Sequence, residues 1–282
     1  MKLYKLPDGI LHEYGDRFYL IRGNWDKLIN RDHLFGHLHG AVNESGAIPK
    51  EEAYDLQKHA LAPIGSQEVW AAGVTYLRSR DARMEESKQS GGGDFYDKVY
   101  EAERPELFFK ALPQRVSGPG QKVYIRRDST WNVPEPELTL YMNSKGSIQG
   151  YTIGNDMSSR SIEGENPLYL PQAKVYEKSA ALGPCLYVPE KGIDPEARIE
   201  MSISRHGVVV FKDGVSISRM RRRHDELAGF LFRESDYPHG VFLMTGTCIV
   251  PPNDFTLRED DRVDISIAGI GHLTNLVSHK PH

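Results

Sequence analysis

Glu135 and Glu137 flank a proline in the run Pro134-Glu-Pro-Glu-Leu138, and Asp156 follows nineteen residues after Glu137. Residues two apart on a strand point to the same side, so an extended run puts both glutamates on one face. Between them and Asp156 lie Thr139-Leu-Tyr-Met-Asn143, Ser144-Lys-Gly-Ser147 and Ile148-Gln-Gly-Tyr-Thr-Ile-Gly154. That order reads as strand, turn, strand, which folds Asp156 back beside the pair. Three carboxylates meeting on one side repel each other unless a cation cancels them. A hard divalent ion with oxygen ligands and open water positions, Mg²⁺ or Mn²⁺, suits that set. A solvated acidic strand beside an unrelated turn aspartate is the plainer alternative, and spacing alone leaves both open.

The elements that must position these residues are mostly short strands. Turns are expected at Gly118-Pro-Gly120, Lys145-Gly146, Lys212-Asp-Gly214, Pro251-Pro-Asn-Asp254 and Glu259-Asp-Asp261. Strands are expected at 68–76, 121–125, 138–142, 150–154, 185–188, 199–204, 208–211, 247–250 and 263–267. One helix is expected over about 220–233, where Leu227, Phe230 and Leu231 recur at helical spacing. The fold class is therefore α+β and β-rich, not a βαβ array. Residues 78–103 are charged and helical in pattern but interrupted by Gly91-Gly-Gly93, which reads as a hinge or loop tip in a surface insert or movable cover.

Residues 1–65 read as a small N-terminal unit and 66–282 as the main domain. The chain has 282 residues, net charge -4 and 26% charged residues, which argues against bulk binding to nucleic acid or anionic membrane. No apolar run is long enough to span a bilayer. Cys185 and Cys248 are expected as free thiols, consistent with a cytoplasmic protein. His33, His37 and His39 cluster, but Gly36 and Gly40 argue for a loop there and against zinc. The basic run Arg219-Met-Arg-Arg-Arg-His224 is followed at once by Asp225-Glu226 and reads as a solvated or subunit-facing helix start. Ser158, Ser159 and Ser161 lack a paired histidine in any nucleophile motif.

Several segments together resemble the fumarylacetoacetate hydrolase family: Val69-Trp-Ala-Ala-Gly-Val-Thr-Tyr76, Pro105-Glu-Leu-Phe-Phe-Lys110, Pro134 to Leu138, Gly150 to Arg160, Lys174, Leu182-Gly-Pro184 and Met244-Thr-Gly-Thr247. The resemblance covers about residues 66–275. It implies a mixed β-roll in which Glu135, Glu137 and Asp156 hold Mg²⁺, with Mn²⁺ or Ca²⁺ as substitutes. The runs 97–110 and 163–174, with Met220-Arg-Arg-Arg223, resemble a branch that dehydrates 2-keto-3-deoxy-pentonates, such as the D-arabinonate, to 2,5-dioxopentanoate. The hydrolases of the family carry a histidine and a glutamate after the first strand, where this chain has Ser79 and Ala82. Without that imidazole the usual water activator is missing, which favours dehydration over the alternative, C–C hydrolysis of a 2,4-diketo acid or acylpyruvate.

The resemblance also distributes roles. Lys174 is the site lysine and a candidate base, and Glu106 a candidate base or acid. Arg160 binds substrate or braces the ligand carboxylates. Thr247 offers a hydroxyl and N–H to the substrate carboxylate, Gly246 permits close approach, and Ser79 and Lys110 join the substrate contacts. The implied assembly is a homodimer or homotetramer taking a small 2-keto acid.

Overall fold

The computed structural model describes residues 1–42, 46–78, 84 and 93–281, with backbone alone at 93–96. Its centre is the hairpin of Pro136–Met142 and Ile148–Asp156, paired in antiparallel register from Met142↔Ile148 to Pro136↔Asn155. The turn closes because Asn143 Oδ1 accepts the N–H groups of Lys145 at 3.1 Å and Ser147 at 3.0 Å. Gly146 takes φ +78°, a conformation that favours glycine. Every residue of Pro136–Met142 is buried, as expected of a strand covered on both faces.

The large sheet runs in the order Arg17–Ile21, Gly9–Tyr14, Lys2–Leu6, Ala180–Tyr187, Ile148–Asp156, Pro136–Met142, Val241–Met244, Glu68–Gly73, Glu106–Ala111. One face, through Leu138, Leu140, Ile153 and Leu243, packs on a five-stranded sheet that contributes Ile199, Met201, Val263 and Ile265. The opposite face, through Leu3, Tyr141, Leu182 and Phe242, is covered by Trp25–Ile29 and Leu34–Val42. Alternation places Glu137 and Thr139 on that second face, displaced along the strand from Tyr141 and the covering helices.

The first three strands extend the main sheet, Lys2–Leu6 pairing with Ala180–Tyr187. The sequence places a strand at 247–250, but the strand is Val241–Met244, and 245–250 has no regular structure. A run of four fully buried apolar residues makes a central strand, and Gly246 at φ +96° ends it. Gly36 and Gly40 lie inside the helix Leu34–Val42, because burying Leu34 and Leu38 outweighs two glycines of poor helix propensity. The helix expected over 220–233 spans His224–Leu231. Its start is set by Glu226, whose Oε2 accepts the Arg223 N–H at 3.3 Å. Gly93 opens the helix Gly93–Glu101, while Gly91, Gly92, Ser79 and Ala82 lie outside the described residues. No helix among the described residues is long and apolar enough to cross a membrane.

Candidate metal centre

Glu135 and Asp156 face each other across the open end of the central hairpin. Each donates its N–H to the other's carbonyl, at 3.2 and 2.9 Å. Glu137 sits opposite Gly154, one pleat further in. The three carboxylates consequently point to one side, and one oxygen from each lies within 4.8 Å of the others. All three are buried, Glu135 at 4% exposure and the other two at 1%.

Three cations are drawn in against them. Lys174 Nζ donates to Glu135 Oε2 at 2.8 Å and Asp156 Oδ2 at 3.2 Å. Arg160 Nη2 meets Glu135 Oε1 at 2.8 Å. Lys110 pairs with the other oxygen of Asp156 and donates to the Met157 and Lys174 carbonyls at 3.0 and 2.5 Å. The helix Leu170–Lys174 delivers Lys174 at its last residue, and Arg160 opens the helix Arg160–Glu165 just past the ligand strand. Arg160 is anchored there by its N–H to the Trp131 carbonyl at 2.8 Å.

Burial, then the Asp156 and Glu135 charges, pushes the Glu137 carboxyl well above the usual carboxylate range. Burial pulls the Lys110 ammonium below the ordinary lysine range, and the Asp156 charge resists it. Lys174 and Arg160, unlike Lys110, line a narrow cleft with the three carboxylates, Phe108 and Thr247. Oxygen-only donors converging from one side of such a cleft fit a hard divalent cation. The cluster of three carboxylates and three cations is neutral by formal count.

The opposite lip is built from Ala72, Gly73 and Val74 at the end of Glu68–Gly73, and from Gly246. Val74 is β-branched yet holds φ +54°, a strained conformation worth about 1–3 kcal/mol that clusters at functional sites. Glu106 pairs with Gly73 across Glu106–Ala111, and a Cβ on Gly73 would lie 1.8 Å from its Oε2. The carboxylate therefore stands over the bare Gly73 Cα, and Glu106 itself is not among the residues that line the cleft.

The structure thus brings together Glu135, Glu137, Asp156, Lys174, Arg160, Gly246 and Thr247, and sets Lys110 beneath Asp156 instead of on the cleft. Thr247 Oγ1 accepts the Ile249 N–H at 3.2 Å. Ser79 lies outside the described residues. Ala72, Val74, Thr75 and Phe108 were given no site role from sequence, and 68–76 was expected as one strand, whereas the strand ends at Gly73 and frees the following residues to form the lip. Among the described residues, the carboxylate triad is the single group of His, Cys, Asp and Glu side chains placed to hold a metal, and the 33–39 histidines form none.

Residues 69–278 match the family model described as fumarylacetoacetate (FAA) hydrolase C-terminal. A probable 2-keto-3-deoxyxylonate dehydratase of Haloferax volcanii is 50% identical over 79% of this chain and 76% of its own. A 2-dehydro-3-deoxy-D-arabinonate dehydratase of Saccharolobus solfataricus is 42% identical over 77% of this chain and 74% of its own. A solved structure of 2-keto-3-deoxy-D-arabinonate dehydratase complexed with magnesium and 2,5-dioxopentanoate aligns over 100% of both chains, with TM-score 0.85 and 32% identity.

Proposed function

The chain belongs to the fumarylacetoacetate hydrolase family, and we propose that it is a Mg²⁺-dependent dehydratase of a 2-keto-3-deoxy sugar acid. The substrate is a pentonate such as 2-keto-3-deoxy-D-arabinonate, and the product is 2,5-dioxopentanoate. The observation that carries this reading is the buried triad Glu135, Glu137 and Asp156 bordered by Lys174, in a chain whose relatives at 42–50% identity bear dehydratase names. Bound by the triad, Mg²⁺ supplies Lewis acidity toward the keto oxygen and acidifies the C3 hydrogens.

The chain's own groups do the rest. Lys174, held at the cleft by Glu135 and Asp156, takes the C3 proton as the neutral amine. Charge counting favours this: the neutral cluster gains two charges from the ion and loses one to the substrate carboxylate. Release of one lysine proton restores neutrality. Glu106, beside Gly73, delivers a proton to the departing C4 hydroxyl, so that the C4–O bond breaks and water leaves a C3=C4 double bond. Removing a C5 proton and returning one to C3 moves the double bond to C4=C5, an enol whose tautomer is the aldehyde. Thr247 and the Gly246 lip hold the substrate carboxylate, and Arg160 braces Glu135. Among the described residues no histidine lines the cleft, which supports elimination over attack by an activated water.

We place the enzyme in the cytoplasm, with residues 1–65 as an accessory unit whose strands extend the sheet of the mixed β-roll. We also place it as a homodimer or homotetramer. Val208, Val209 and Val210, 66%, 57% and 43% exposed on an edge strand, supply an apolar surface for assembly. Proton NMR of the product tests the reaction, using 2-keto-3-deoxy-D-arabinonate and its L isomer with Mg²⁺ and with EDTA. A Mg²⁺-dependent 2,5-dioxopentanoate signal is expected. Silence with both isomers, and pyruvate from a 2,4-diketo acid, would move the enzyme to C–C hydrolysis.

A further inference from the structure

We infer that Thr75 is a positioning residue for Glu137, acting through the single peptide group between Thr245 and Gly246. Its hydroxyl donates to the Thr245 carbonyl at 2.6 Å. The N–H at the other end of that peptide, from Gly246, donates to Glu137 Oε2 at 2.6 Å. One peptide plane thus connects a buried hydroxyl to a carboxylate of the triad, and each hydrogen bond polarises the next.

Both ends of the relay are enclosed. Thr75, Thr245 and Glu137 are 0%, 0% and 1% exposed. Thr245 is held from behind, since its N–H and its hydroxyl both reach the Leu138 carbonyl, at 3.0 and 2.8 Å. The plane can still rotate about its two Cα atoms, and the Thr75 bond removes that freedom.

The local backbone is shaped for this contact. Gly246 holds φ +96°, and a Cβ there would lie 2.1 Å from Thr75 Oγ1 and 3.0 Å from the Ala72 carbonyl. The glycine is therefore required by the Thr75 hydroxyl as much as by the cleft. On the other side, the strained Val74 directs the chain so that the Thr75 side chain faces the 244–247 segment, and the Thr75 carbonyl accepts the Arg221 N–H at 3.0 Å. Val74 and Gly246 thus support one junction between the end of Glu68–Gly73 and the end of Val241–Met244. Partners that orient metal ligands typically change affinity about 10–100-fold when removed.

The inference rests on the magnesium reading of the triad and is independent of which substrate is dehydrated. The test is Mg²⁺ titration by calorimetry of the full-length protein, without substrate, for wild type, Thr75→Val, Thr75→Ala and Thr75→Ser. Valine keeps the β-branch and loses the hydroxyl; alanine loses the hydroxyl with no possibility of a clash; serine keeps it. Valine and alanine are expected to weaken Mg²⁺ about tenfold or more, and serine to stay within about threefold of wild type. Mg²⁺ affinity equal to wild type in either hydroxyl-free variant overturns the inference, as does an equal loss in Thr75→Ser. If wild type itself takes up no Mg²⁺, it is the metal reading that fails.

Discussion

Lys110 and Lys174 reach the same aspartate, yet only Lys174 borders the cleft. That difference separates their expected phenotypes. Lys174→Ala should still bind Mg²⁺ and lower kcat by roughly 10²–10⁴, the ordinary worth of a general base. Lys110→Met, with its ammonium fully buried, should cost about 3–5 kcal/mol in urea unfolding, because Asp156 loses a buried partner and two carbonyls lose a donor. An unchanged kcat in the first variant would remove Lys174 as base, and an unchanged midpoint in the second would remove Lys110 as a structural charge. The carboxylates were legible in the sequence because strand alternation and a marked turn are local signals. Lys110 lay on a segment the sequence did single out, but its place beneath Asp156 depends on the order of distant strands, which no local spacing encodes.

At the scale of elements, the glycine at the end of Glu68–Gly73 is the informative position. The atoms nearest a Cβ there all belong to the Glu106 side chain, so Gly73→Ala should swing that carboxylate aside without unfolding the strand. If Glu106 serves as the acid, Gly73→Ala and Glu106→Gln should each cost about 10²–10⁴ in kcat, leave Mg²⁺ affinity in place, and fail to add when combined. Steady-state kinetics of the three proteins decides it; additive losses would show that the two residues act separately. The central hairpin was readable because Asn143-Ser-Lys-Gly-Ser147 is turn chemistry between apolar runs. The Val241–Met244 strand was not, because a buried strand without alternation resembles any apolar run. Val74 was missed for the opposite reason: its strained backbone contradicts its own propensity, and tertiary contacts alone hold it.

For the molecule as a whole, the run of short strands and turns pointed to a β-rich chain but could not show that the first three strands join the large sheet. His12 lies on the middle one of these strands, paired with Leu3 and Tyr19, and is 1% exposed with the Tyr19 ring at 5.9 Å. Burial, helped by the N-terminal ammonium, pushes its imidazole down to about 4. In the unfolded chain the same imidazole titrates near its ordinary value, so between about pH 6.5 and 4 the unfolded state binds a proton that the native state refuses. Stability is therefore lost as the pH falls through that window, by up to about 3 kcal/mol from this residue alone, and is insensitive to His12 above about pH 7. His12→Phe removes the titration while keeping an aromatic body in the site. Other carboxylates also titrate below pH 5, so the readout is the difference between the two proteins. The urea midpoint of wild type minus that of His12→Phe should fall steadily from pH 7 to 4.5. A difference that stays constant across that range would mean that His12 accepts its proton in the fold at no cost, and that the N-terminal strands open locally before the sheet does.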